Sequence, residues 1–139
     1  MADPVCPVTG APMVRGIRPI TITYKGATAT FEMPGWYCDG SDESLHSWDD
    51  MKVSDRELTK LKARVEGLLE PADIRRIRKK LGLSQREAGR IIGGGPNAFQ
   101  KYESGEVLAS RAVSNLLQVL ARHPEEIDRL RHENQDRAA

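Results

Sequence analysis

The stretch Leu83-Ser84-Gln85-Arg86-Glu87-Ala88-Gly89-Arg90-Ile91-Ile92-Gly93-Gly94-Gly95-Pro96-Asn97-Ala98-Phe99-Gln100-Lys101-Tyr102-Glu103-Ser104-Gly105 decides the reading of the chain. Ser84 followed three residues later by Glu87 is a capping box, so a helix opens there and runs through Ala88, Ile91 and Ile92. Three consecutive glycines break it. Pro96 suits the first turn of the next helix, and Gly105 follows that helix's end.

Working outward on the C-terminal side, Val113, Leu116, Leu117 and Leu120 recur at helical spacing over Ala112 to Arg122, and Ile127 and Leu130 over Pro124 to about Arg131. On the N-terminal side, Ile74, Ile77 and Leu81 mark a helix between Pro71 and Gly82. The region is therefore all-α with five helices. Two short helices joined by a tight glycine turn inside it read as a helix-turn-helix DNA-binding unit.

Charge points the same way. The chain carries 21 Lys plus Arg and 20 Asp plus Glu, a formal net charge of +1, which over the whole length argues against a nucleic-acid binder. The balance is a cancellation: Met1 to Asp50 holds three basic and seven acidic residues, whereas Pro71 to Ala139 holds 13 basic and 9 acidic. Arg75, Arg76, Arg78, Lys79, Lys80, Arg86, Arg90, Lys101 and Arg111 supply the cationic excess. On one surface they would attract phosphates; as ordinary solvated helix faces they would not. The glycine run lacks a preceding strand and a Gly-Lys-Ser/Thr ending, so it is a tight turn and not a P-loop.

The first half reads as β structure. Ile20-Thr21-Ile22-Thr23-Tyr24, the turn signal Lys25-Gly26, and Ala27-Thr28-Ala29-Thr30-Phe31 predict a hairpin. Ser54-Asp55-Arg56-Glu57 predicts the start of a helix carrying Leu58, Leu61, Val65 and Leu68. The expected organisation is a β-rich domain over 1–52, a linker helix over 53–70, a helix-turn-helix and dimerisation domain over 71–131, and a flexible tail over 132–139. The fold class is α+β. No stretch approaches the roughly 18 apolar residues of a membrane span, and the N-terminus lacks a basic region before an apolar run, so a cytoplasmic protein is expected. The sequence offers no cofactor loop, no metal-ligand cluster and no His beside a plausible nucleophile, and no enzyme is expected.

The segment from Leu83 to Gly105 resembles, without gaps, the helix-turn-helix core of the phage-repressor-like (Xre-type) regulators. That resemblance implies a lambda-repressor-like fold with Ala88, Ile92, Phe99 and Tyr102 in the core, and Gln85 on a phosphate. Ser84, Arg86, Arg90 and Gln100 border the same surface. Positions 96, 97 and 101 would face base edges; Pro96 has no side-chain donor, so reading falls to Asn97 and Lys101. Asn can bond an adenine edge bidentately, and Lys can donate to guanine O6 and N7. The plainer reading makes Asn97 a cap on its own helix and Lys101 a phosphate contact.

A more specific likeness spans nearly the whole chain. Ile91 through Glu103, then Leu116-Leu117-Gln118-Val119-Leu120 and His123-Pro124-Glu125, with Cys6-Pro7-Val8, Gly16-Ile17, Tyr24 and Gly35-Trp36-Tyr37-Cys38 in order before them, resemble the MqsA-type antitoxins. The resemblance implies a dimeric, autorepressing antitoxin of a type II toxin–antitoxin system. Its C-terminal domains would pair and bind a promoter palindrome in double-stranded DNA, leaving it nucleoid-associated in a bacterial cytoplasm. Its N-terminal domain would hold an mRNA-cleaving ribonuclease toxin. Leu116, Val119, Leu120, Ile127 and Leu130 would be divided between the domain core and the partner copy. An acidic half suits a basic ribonuclease and a basic half suits DNA.

The family's N-terminal domain holds a structural zinc in two Cys-x-x-Cys knuckles. Here they read Cys6-Pro7-Val8-Thr9 and Cys38-Asp39-Gly40-Ser41, so two of the four thiols are hydroxyls. Two cysteines cannot close a tetrahedral sulfur site, and no metal or other cofactor is expected. Substitution by His46, Asp39 or Asp42 is one way a zinc could persist; another outcome is buried or cross-linked thiols, with Trp36, Tyr37 and Trp48 supplying core area. The alternative function is a stand-alone Xre-type regulator whose N-terminal half senses a ligand or redox state through Cys6 and Cys38.

Overall fold

In the computed structural model, residues 3–138 are described, with side-chain surroundings through Glu133. The element order is β1 (Val14–Tyr24), β2 (Ala27–Tyr37), β3 (Ser44–Leu45), α1 (Trp48–Glu66), α2 (Pro71–Lys80), α3 (Gln85–Ile91), α4 (Ala98–Ser104), α5 (Arg111–Arg122) and α6 (Glu126–Ala138). The fold is α+β. The chain divides into two compact units, Met1–Leu61 and Lys62–Ala139, the division falling inside α1.

The first unit is built on the hairpin. β1 and β2 pair antiparallel from Val14↔Tyr37 to Tyr24↔Ala27, and β3 adds Trp36↔Leu45 and Tyr37↔Ser44. Lys25 (φ 49°) and Gly26 (φ 82°) both take positive φ, as a type I′ turn requires. At the turn end, Ile20, Ile22, Ala29 and Phe31 are half-buried while Thr21 and Thr30 face out and share a 2.8 Å hydroxyl contact.

Helix α1 begins at Trp48, six residues before Ser54, where the sequence predicted a cap. Ser47 and Asp50 form the opening bonds: Ser47 N–H donates to Asp50 Oδ2 at 2.9 Å, and Asp50 N–H to Ser47 Oγ at 3.1 Å. Ser54 lies inside the helix, and its hydroxyl donates back to the Met51 carbonyl at 3.0 Å. Asp50 is also gripped bidentately by Arg15 at 2.8 and 3.0 Å, a long-range contact that fixes which of the two Ser-x-x-acid sequences starts the helix.

In the second unit, Phe99 sits fully buried among Ile74, Ile77, Leu81, Leu83, Ala88, Ala109, Leu117, Leu120 and Ile127. Ser110 caps α5 by accepting from Val113 N–H. Ser114, the buried hydroxyl of that helix, accepts from Leu69 N–H at 2.9 Å. Two boundaries differ from the sequence reading. α4 starts at Ala98, leaving Pro96 in the turn ahead of the helix. α6 continues as helix to Ala138, beyond the end near Arg131 and through most of the expected tail; Ala139 lies outside the described residues.

Candidate nucleic-acid interface

The glycine turn sets the geometry of the surface. Gly93, Gly94 and Gly95 have φ of 129°, 95° and 90°, a backbone path that L side chains rarely take. It brings Gly95 N–H to Gly89 C=O at 3.2 Å, and a Cβ on Gly89 would collide with the Gly95 carbonyl. The glycines thus press the end of α3 against the start of α4. Ser84, the α3 N-cap, accepts from Glu87 N–H at 3.1 Å while its own N–H donates to Glu87 Oε1, the capping box expected from the sequence.

Asn97 is the N-cap residue of α4, and its side chain makes no capping bond to the helix. The plainer of the two sequence readings, an Asn occupied by its own helix end, is therefore not the arrangement present. Asn97 and Lys101 lie four residues apart, on one helix face. Both line a shallow concavity of about 420 Å³ with Gly94, Pro96, Ala98, Tyr102 and Val107. Asn97, Gln100, Lys101, Ser84, Arg86 and Arg90 are exposed, and Gln85 at the first position of α3 is half-buried.

The cationic residues divide into two groups. Arg78 is 11% exposed and donates through Nε and Nη2 to Glu103 at 2.7 and 2.9 Å, and through Nη1 to Leu83 C=O at 2.9 Å. It clasps α2, the turn before α3, and α4 together, and Glu103 raises its pKa above the ordinary value. Arg78 is thus withdrawn from the phosphate-facing excess in which the sequence placed it. Arg76 pairs with Asp73, Lys80 donates to Ala121 C=O and Arg111 to Glu66 C=O. Arg75, Lys79, Arg86, Arg90 and Lys101 are exposed with no ion pair among the described residues.

Of the residues that the family resemblance divides between core and partner, Leu120 and Ile127 are buried, and Leu116 and Leu130 pack partly buried against the core. Val119 is 53% exposed and shares a concavity of about 300 Å³ with Asn115, Gln118, Arg122 and His123.

In the first unit the two knuckles converge. Cys6 Sγ lies 3.4 Å from Ser41 Oγ, and Cys38 Sγ lies 3.3 Å from Thr9 Oγ1. Both cysteines are free and buried. Contact with Cys38 first, then with Ser41 and Thr9, lowers the Cys6 thiol to about 6 against the opposing effect of burial.

A tetrahedral zinc does not fit this donor set. Among the described residues, no three His, Cys, Asp or Glu side chains converge. His46 has both ring nitrogens engaged, Nδ1 with Pro34 C=O at 2.8 Å and Nε2 with Ser44 Oγ at 2.9 Å. The Asp39 carboxylate is fully exposed beside Arg18. Trp48, one of the three aromatics expected to supply core area, is 90% exposed instead; Tyr37 is buried and Trp36 half-buried. Val5, Val8, Val14, Ile17 and Leu45 are further exposed apolar side chains of this unit.

Comparison with known proteins places these features. The sequence model of a family described as the antitoxin component of a bacterial toxin–antitoxin system, MqsA, matches residues 1–131. A curated relative, Antitoxin MqsA of Escherichia coli (strain K12), is 35% identical over 129 residues, covering 91% of this chain and 98% of the relative.

Proposed function

The chain belongs to the MqsA antitoxin family, and from that premise we propose that it is a dimeric, DNA-binding antitoxin that represses its own operon and neutralises an mRNA-cleaving toxin. The observation that carries the DNA-binding part is the pairing of Asn97 and Lys101 on one face of α4, both exposed and neither held by a neighbour among the described residues.

The division of labour follows from the chemistry of each group. Arg86, Arg90, Arg75 and Lys79 supply salt-dependent attraction to phosphates, which positions the protein without reading sequence. Asn97, bidentate to an adenine edge, and Lys101, donating to guanine acceptors, supply discrimination of about 1–3 kcal/mol per good contact. Gln85 at the start of α3 bonds a backbone phosphate. The half-buried Arg78–Glu103 pair acts at one remove: it fixes α4, and so the reading face, on α2. Val119, outward on α5, is the apolar contact offered to a second copy, which would set two reading helices on the halves of a palindrome. The acidic first unit, with its exposed Val14, Ile17, Leu45 and Trp48, is the surface offered to the toxin.

The test is a salt series on a duplex carrying the protein's own promoter palindrome and on a scrambled duplex of equal length. Arg86→Ala and Arg90→Ala each lower the salt slope by about 1 on both duplexes, as lost phosphate contacts do. A palindrome bound no more tightly than the scrambled duplex would remove the repressor role.

A further inference from the structure

Cys6, Met13 and Cys38 form a buried sulfur cluster that neither DNA binding nor a zinc knuckle accounts for. Their exposures are 1%, 3% and 2%, and half-buried Trp36 packs against them. The backbone holds this loop tightly: Cys6 N–H donates to Ala11 C=O at 2.8 Å, Gly10 N–H to Cys6 C=O at 2.9 Å, and Met13 N–H to Pro4 C=O at 2.8 Å.

The two hydroxyls have defined roles. Thr9 Oγ1 accepts from Ala11 N–H at 3.3 Å, and Ser41 Oγ accepts from Glu43 N–H at 3.2 Å. Each hydroxyl carries one proton, and the remaining contact of each is to sulfur, Thr9 to Cys38 and Ser41 to Cys6. Each oxygen already accepts one backbone N–H, and a sulfur that has lost its proton can only accept, so once the thiols ionise both hydroxyls donate to the sulfurs. Hydrogen bonds to the ligating atoms are what the outer shell of a metal site supplies. Two thiolates are too few for tetrahedral zinc. They suffice for a soft monovalent cation of low coordination number, and a thioether lies in the same cluster. Sulfur ligands of this softness select Cu(I). His46 and Asp39 do not supply harder ligands: both His46 nitrogens are hydrogen-bonded and the Asp39 carboxylate faces solvent.

We propose that Cys6 and Cys38 bind one soft monovalent cation of the Cu(I) class as a dithiolate, with Met13 as the adjacent soft donor and Thr9 and Ser41 donating hydrogen bonds to the bound sulfurs. Binding exchanges two thiol protons for one cation, so the site becomes a bis(thiolato)metal anion carrying one net negative charge, and the protons leave to solvent. This inference does not depend on the antitoxin reading.

The experiment loads the reduced, full-length protein anaerobically with Cu(I), challenges it with a Cu(I)-selective chelator, and counts retained metal by mass spectrometry. The wild-type protein retains one Cu(I) per chain. Cys6→Ser and Cys38→Ser each lower affinity by at least about 100-fold, and Thr9→Val and Ser41→Ala by about 10-fold, the range for outer-shell partners. Retention no better than that of a Cys6→Ser/Cys38→Ser double variant would overturn the proposal, as would stoichiometric binding of Zn(II) when zinc is offered instead. If the cysteine variants do not fold, X-ray absorption at the copper edge of the wild-type complex decides: an all-sulfur shell supports the site, and nitrogen or oxygen ligands contradict it.

Discussion

The two units solve the problem of cohesion with different chemistry. In the second, nine buried apolar residues pack around Phe99, and the polar contacts refine an arrangement that apolar burial already holds. In the first, the compact cluster is two thiols and a thioether, and specific polar contacts carry a larger share: Thr9 and Ser41 on the sulfurs, Arg15 on Asp50, and Arg18 Nη2 on the Cys38 carbonyl at 3.2 Å. A unit with an apolar core can lose a polar contact at its surface and keep its fold. A unit with so few buried apolar side chains depends on each polar contact more heavily.

That contrast can be broken by substitutions in each unit. Phe99→Ala removes a fully buried ring and is expected to cost about 3–5 kcal/mol, read as the free energy of urea unfolding. A cost under about 1 kcal/mol would mean that the core does not centre on this residue. Glu103→Gln leaves the half-buried Arg78 guanidinium without its anion and is expected to cost about 2 kcal/mol. The same substitution weakens promoter binding by displacing α4, and a stable variant with unchanged promoter affinity would separate the clasp from the reading face.

In the first unit, the Arg15 guanidinium, followed by the Ser47 N–H, holds the Asp50 carboxyl well below the usual carboxylate range. The folded-state pKa is lower than the unfolded value of about 3.9, so the pair stabilises the unit fully above that pH and ceases to as pH falls through the folded value. Thermal unfolding of wild type and Asp50→Asn should therefore differ most near neutral pH and converge as the medium is acidified below about pH 4. Curves that stay parallel throughout would exclude Asp50 as the origin. The smallest effect is expected from Thr9→Val, about 1 kcal/mol for one hydrogen bond. A zinc chelator should leave the melting temperature of the wild-type protein unchanged, because two thiols and two hydroxyls do not make a tetrahedral zinc site.

How much of this was legible in the sequence depends on how local the signal is. The Ser84–Glu87 capping box, the Lys25-Gly26 turn and the glycine break are set by neighbours within four residues, and the structure has them where the pattern puts them. Ser47-Trp48-Asp49-Asp50 and Ser54-Asp55-Arg56-Glu57 carry the same helix-start pattern, and the choice between them came from Arg15, distant in sequence. The Arg78–Glu103 clasp is likewise invisible to composition, which counts Arg78 as one more surface cation. Trp48 shows the converse: an aromatic suits a core by type, yet at the first turn of α1 it points to solvent. Replacement of two knuckle cysteines by Thr9 and Ser41 followed from the family resemblance. That their oxygens would still meet the remaining sulfurs depended on the fold bringing residues 29 and 35 positions apart together.

In the proposed function, sequence reading belongs to the second unit and toxin binding to the first. The most direct measurement takes one variant, Asn97→Ala/Lys101→Ala, and determines both its affinity for the promoter palindrome and its capacity to neutralise the toxin made from the same operon. The expected result is a loss of about 2 kcal/mol or more in palindrome binding, little change on scrambled DNA beyond one phosphate-type contact, and full neutralisation of the toxin. Unimpaired palindrome binding, or the joint loss of both activities in a variant that remains folded, would contradict it.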